Sequence, residues 1–243
     1  MTESRSAFHQ QLEDLRHDLV RAAGRVSEQI SLGTRALLDR DLAAVDAIIE
    51  TDDEVDALTL DVEERCFLLL ARHQPMAGDM RALVTAIRLS AEIERCGDLV
   101  VNVGKAVRRL HPQPVPDALR GLVEELSHEA VRLFRLSIDA YADGDAALAA
   151  ALDDMDDRLD RIHKDYIRAL IEQGRDGADV QQAVQLALVG RYYERIGDHA
   201  VNIGDRVRYM VTGWLPEHTS AARHRARLSG RAGVATDEGG AQA

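Results

Sequence analysis

Residues 94–107 read ERCGDLVVNVGKAV and residues 194–207 read ERIGDHAVNIGDRV. Eight of the fourteen positions are identical: Glu, Arg, Gly, Asp, Val, Asn, Gly and Val. A second phrase precedes each copy. Asp41 to Asp56 reads DLAAVDAIIETDDEVD, and Asp145 to Asp160 reads DAALAAALDDMDDRLD. Setting Asp41 on Asp145 also sets Asp52, Asp53 and Asp56 on Asp156, Asp157 and Asp160. The chain is therefore a tandem repeat in which each unit carries the same polar groups. The offset falls from 104 at the first phrase to 100 at the second, so the second repeat has a shorter intervening loop, a change that costs little entropy.

Outward from these phrases, apolar residues recur at helical spacing, as in Leu12, Leu15, Leu19, Val26, Ile30 and Leu37. Six helices are predicted, three per repeat. The first spans about 8–38, and the second is capped by Asp41 and runs to about Arg72. His73 to Gly78, with Pro75 and Gly78, breaks it. The third opens at Asp79 and runs to about Leu110. The segment 111–116, HPQPVP, holds three of the chain's five prolines and reads as the linker between repeats. The fourth helix covers 117 to about 142, the fifth follows Asp143-Gly144-Asp145 to about Glu172, and the sixth ends near Val211. Short loops between antiparallel helices make bundles. The expected fold is all-α: two tandem three-helix bundles, 1–110 and 117–215, forming one elongated six-helix body. Residues 216–243 lack apolar periodicity and read as a disordered tail; its Arg223, Arg225, Arg227 and Arg231 offer a contact to acidic lipid or a partner, with a solvated tail the favoured reading.

Composition bounds the function. The 243 residues carry 42 acidic and 30 basic side chains, a net charge of −12, which disfavours nucleic acid because it repels phosphates. Aromatics are only 4%, so the core is expected to pack through aliphatic side chains. Cys66 and Cys96 have no CxxC spacing and read as buried free thiols. No signal peptide opens the chain, and no apolar run is long enough to span a membrane. A cytoplasmic location is expected.

The repeated acids define the candidate site. Glu94 and Asp98 are four apart and share one helix face, which Asn102 extends; Asp52 and Asp56 do the same on the preceding helix. Folding that hairpin about residue 76 brings the two pairs to levels differing by about 3 Å. Folding the second about residue 176 brings Asp156 and Asp160 level with Glu194 and Asp198. Like charges so placed repel by about 4 kcal/mol per pair at 4 Å and an effective dielectric of about 20. Three outcomes are open: the acids splay into water, arginines such as Arg95 and Arg195 neutralise them, or a metal binds. The candidate metal ligands are Asp52, Asp56, Glu94, Asp98, Asp156, Asp160, Glu194 and Asp198. All-oxygen ligation favours magnesium, manganese or iron. His199, where the first repeat has Leu99, is either an added nitrogen ligand or a surface or hydrogen-bonded histidine.

Gly97, Gly104, Gly197 and Gly204 cost about 1 kcal/mol each inside helices. Spaced by seven, they line a stripe that admits a neighbouring helix. Phosphate-loop and dinucleotide glycine patterns are absent, as are a supported nucleophile triad and the Glu-x-x-His pairs of di-iron carboxylate enzymes. No catalytic machinery is expected.

The duplicated ERxGDxxxN phrase, the paired acidic phrases, and Gln74-Pro75-Met76-Ala77-Gly78-Asp79-Met80-Arg81 together resemble the PhoU family of phosphate transport system accessory proteins. The resemblance covers about 8–213, although the second repeat has no QPMAxDxR counterpart. It implies two three-helix bundles and surface carboxylates holding iron, zinc, manganese or magnesium. It further implies a negative regulator of the phosphate-starvation response. Such an adaptor connects the ATPase subunit of the phosphate ABC transporter with a sensor histidine kinase, touches the membrane only through those partners, and silences signalling when phosphate is plentiful. The stripes of small residues suit a homodimer. Two other readings stand beside it: a helical metal-storage or carboxylate redox protein, and a metal-free structural bundle.

Overall fold

The computed structural model describes residues 2–174 and 179–214. They form six helices: α1 (Thr2–Asp39), α2 (Leu42–His73), α3 (Gly78–Leu110), α4 (Asp117–Asp143), α5 (Ala146–Gly174) and α6 (Val180–Thr212). The helix of 27 residues and the one of 38 are about 40 and 57 Å long. The tail 216–243 and the residues 175–178 of the second hairpin's turn lie outside the described residues.

The chain's own signals set the helix boundaries. The Asp41 carboxylate accepts the Ala43 and Ala44 amides at 2.9 and 3.1 Å, capping α2. The repeat copies the device: Asp145 accepts Ala147 and Leu148 at 2.9 and 3.0 Å ahead of α5. Such caps satisfy amides that have no partner inside the helix. Gly144 closes α4 at φ +64°, a conformation that favours glycine. One boundary differs from the sequence reading. The first helix begins at Thr2, not near Phe8; 2–6 are polar and carry no apolar rhythm to mark them.

The repeats are less separate than two bundles in a row. α2 packs only on α1 and α3, and α5 only on α4 and α6, whereas α1 meets α4 and α3 meets α6 across the repeat boundary. Four inner helices thus join the repeats, and one continuous core runs through them and takes in the inward faces of the flanking α2 and α5. Its largest fully buried side chains are Tyr166, Tyr193 and Phe134. At the centre, the Thr34 hydroxyl lies 2.6 Å from Ser127 Oγ and 2.7 Å from the Tyr193 hydroxyl, joining α1, α4 and α6. Both cysteines are buried free thiols. No described helix is long and apolar enough to cross a membrane.

An ion pair between the first two helices of each repeat is kept with its charges exchanged. Arg25 of α1 pairs with Glu54 of α2. Exactly 104 positions on, Glu129 of α4 faces Arg158 of α5 at 3.6 Å.

Candidate functional site

Each outer helix lays an aspartate against a glycine of the helix inside it. A Cβ on Gly97 would stand 2.5 Å from Asp52 Oδ1, and at Gly197 the Asp156 oxygen is closer still. The missing side chain is the space the carboxylate occupies. The glycine one turn pair further on serves the helix contact itself: a Cβ on Gly104 would meet Val45 at 3.1 Å, and one on Gly204 would meet Leu152 at 2.7 Å and the Ala149 carbonyl at 2.8 Å. The repeated Gly-x6-Gly pattern therefore does two jobs, seating an acid and admitting a helix.

Asp52 Oδ1 and Asp156 Oδ1 are both buried without a hydrogen-bond donor. In the first repeat the Gln29 amide oxygen, also buried and without a donor, lies 3.9 Å from the same Gly97 Cβ position. Gln29 is held there by its amide nitrogen, which donates to Ile48 O at 3.0 Å. Two acceptors share one recess, an arrangement that a proton or a cation satisfies.

The hairpins bring Asp52, Asp56, Glu94 and Asp98 of the first repeat, and Asp156, Asp160 and Asp198 of the second, close enough for their charges to act on one another. Burial pushes Asp52 up to about 6, and Asp56, Asp98, Asp53 and Glu94 raise it further in that order. Asp56 is raised by burial and then by Asp98 and Asp53. Glu94 is raised by burial, Asp98 and Asp56, with Arg95 opposing. In the second repeat burial pushes Asp156 up to about 6, with Asp160, Asp198, Asp153 and Asp157 adding to it. Among the described residues no three Asp, Glu, His or Cys side chains converge in a ready-made metal cage. Each face is a set of repelling carboxylates around a seated aspartate.

The two faces are not equivalent, and sequence reading missed the residues that separate them. Arg191 on α6 forms an ion pair with Glu194 and lies 3.8 Å from Asp198. Lys164 on α5 lies 3.4 Å from Asp160. The corresponding positions of the first repeat are Ala91 and Leu60. Glu194 Oε2 is buried and finds its compensation in the Arg191 charge without a well-angled hydrogen bond. His163, beside Asp160 on the same helix, replaces Thr59; burial lowers its basicity, Arg191 lowers it further, and Asp160 opposes. Of the arginines weighed from sequence, Arg95 makes its ion pair with Glu92 at 3.4 Å and acts on the acidic face only by its charge on Glu94. Arg191 was legible as a residue three positions before Glu194. Gln29 was not, because it arrives from another helix.

The first face is consequently the open one. Asp56, Glu63 and Glu94 line a surface groove of about 360 Å³ together with Thr59, Ser90 and Leu60, and Leu60 is 57% exposed.

His199 belongs to neither face. It is buried between α3 and α6, where Nδ1 lies 2.6 Å from Glu92 Oε2. Asn202 donates to the same oxygen at 3.3 Å. Burial pushes Glu92 up, but His199, Asn202 and Arg95 outweigh it and hold the carboxyl below its ordinary range. Of the two roles open to His199 in the sequence, ligand or hydrogen-bond partner, the structure gives it the second, as a bond between repeats.

Known proteins are similar to this chain in sequence and fold. The PhoU domain matches twice, at 19–107 and 123–207. The chain is 36% identical over 215 residues to the phosphate-specific transport system accessory protein PhoU homolog 1 of Mycobacterium leprae, covering 88% of this chain and 96% of that protein. It is 35% identical over 214 residues to PhoU homolog 2 of Mycobacterium bovis, covering 87% of this chain and all of that one. The crystal structure of PhoU from Pseudomonas aeruginosa superposes with a TM-score of 0.80 at 29% identity, over 85% of this chain and 100% of the other. A phosphate transport system regulatory protein PhoU from Streptococcus pneumoniae has the same fold, with a TM-score of 0.78 at 23% identity over 86% and 98% of the two chains.

Proposed function

The chain belongs to the PhoU family, and from that premise we propose that it is the regulatory accessory protein of a phosphate transport system, a negative regulator of the phosphate-starvation response. It works as an adaptor and not as an enzyme: it binds the ATPase subunit of the phosphate ABC transporter and a sensor histidine kinase, and holds the kinase silent when phosphate is plentiful. The observation that carries this reading is similarity through both repeats, over nearly nine-tenths of the chain, to phosphate-specific transport accessory proteins.

The first acidic face is proposed as the metal-dependent part of the adaptor. Asp52, Asp56, Glu94 and Asp98 would hold a hard divalent or iron cation, which supplies positive charge to a recess that otherwise has two buried acceptors and no donor. The second face carries its own cations, Arg191 and Lys164, and therefore needs a metal less. Leu60 and the acids around it offer a partner both an apolar contact and charge.

The test is reconstitution. The purified chain is added to membranes containing the transporter and the kinase at high phosphate, and capture of each partner and kinase autophosphorylation are measured. Capture of both with suppressed autophosphorylation is expected. If neither partner is captured, the adaptor reading fails. Elemental analysis of the same preparation beside Asp52→Asn/Asp98→Asn tests the metal separately; metal content that does not fall in a still-helical variant removes the first face as its site.

A further inference from the structure

On the surface between α1 and α4, away from both acidic faces, the molecule has a groove of about 540 Å³. Three arginines line it: Arg35 from α1, and Arg132 and Arg135 from α4. In a chain of net charge −12, this grouping runs against the prevailing field. Arg132 is committed to Glu129, its Nε donating to Oε1 at 3.0 Å. Arg35 and Arg135 have no ion pair or hydrogen bond among the described residues, and the single lining carboxylate, Glu124, makes no ion pair with either.

The helix register brings these guanidinium groups towards each other. Arg16 bonds to Ala142 O, Thr34 to Ser127 and Arg120 to Leu38 O, so α1 and α4 are antiparallel. In that register Arg35 and Arg135 leave their helices roughly 15 Å apart along the axis. Long side chains lean towards the N-terminus of their own helix, and in an antiparallel pair that means towards one another. The groove between them is lined by Ser31 and His128 together with the apolar Val131 and Leu136. Two unpaired cations spaced along a partly apolar groove are complementary to an anion with more than one charge and an apolar portion. The volume is in the range of small-molecule sites and far exceeds what one phosphate ion fills.

We propose that the α1–α4 groove is a binding site for a nucleoside polyphosphate, with Arg35 and Arg135 gripping the phosphoryl groups and the Val131–Leu136 wall receiving the base. Guanidinium forks suit phosphate oxygens. The site is independent of the adaptor reading and of the carboxylate faces.

The experiment is calorimetric titration of the full chain with ATP, ADP, pyrophosphate, inorganic phosphate and adenosine. It is run in EDTA, so that no metal bridges a nucleotide to the acidic faces. Arg35→Gln and Arg135→Gln are compared with Arg168→Gln, an exposed arginine on α5 that pairs locally with Asp165. Both groove positions are exposed, and helicity and melting temperature verify each variant's fold. ATP is expected to bind more tightly than pyrophosphate, to weaken about tenfold in each groove variant, and to be unaffected by Arg168→Gln. Failure of ATP to bind at millimolar concentration, or equal binding by the groove variants, overturns the proposal. Pyrophosphate binding as tightly as ATP overturns the nucleoside part of it.

Discussion

Replacing Asp52 with Asn should stabilise the metal-free protein. The Asp52 carboxyl is raised from 3.8 to about 6 by burial and by the four acids around it. A shift of about two pH units corresponds to about 3 kcal/mol. The carboxyl is only half-buried, so solvent screening reduces the usable part to about 1–1.5 kcal/mol. For a chain of this size that is a rise in melting temperature of about 2–6 °C. The sign follows from linkage. The folded-state value lies above the unfolded one, so the penalty is complete above about pH 6 and disappears below the unfolded value of 3.8. The variant's gain should therefore be full at pH 7.5 and largely gone at pH 4. Paired thermal melts of the two proteins in EDTA at those pH values, which bracket the isoelectric point of about 5.2, provide the comparison. A variant no more stable at pH 7.5, or equally favoured at both pH values, would refute the repulsion argument. Added divalent metal should reverse the order: a cation at about 100 times its Kd stabilises the wild type by about 2.7 kcal/mol, and the variant, lacking a ligand charge, by less.

Other perturbations probe the rest of the site. Gly204→Ala forces a methyl group against Leu152 and the Ala149 carbonyl. It should cost 2 kcal/mol or more, about the scale of overpacking, in urea denaturation, whereas Gly24→Ala, with open space around it, should gain about 1 kcal/mol. His199→Ala strands the buried Glu92 carboxylate and should lower stability by about 2–3 kcal/mol, given what remains from Asn202 and Arg95; a loss below 1 kcal/mol would mean those two suffice. Arg191→Ala removes the cation that compensates Glu194 and Asp198, so equilibrium dialysis against manganese should find more metal bound per chain than in the wild type, by about one ion if the second face then behaves as the first does.

The all-α class, the six helices, the Asp41 cap, the pairing of acids across each hairpin and the packing role of the glycines were legible in the chain, because each rests on local periodicity or on a duplication that compares the sequence with itself. Asp41 and Asp145 cap through their own next residues, and Glu94 meets Asp56 because two straight helices folded at a turn leave little freedom in register. What the packing alone decided involves positions far apart in sequence or chemically degenerate. Gln29 reaches the Asp52 recess from a third helix, and His199 turns from its acidic phrase to Glu92, 107 positions away. Arg25 and Glu54 reappear as Glu129 and Arg158, since a Coulomb pair is indifferent to which partner carries which sign, so identity between repeats hides it. The distinction between an open acidic face and a self-neutralised one is local by contrast: Arg191 with Glu194 and Lys164 with Asp160 are pairs three and four apart on single helices, readable against Ala91 and Leu60 of the first repeat. What tertiary structure alone decided is what reaches each face from another helix, because those partners are set by packing and leave no mark at fixed spacing.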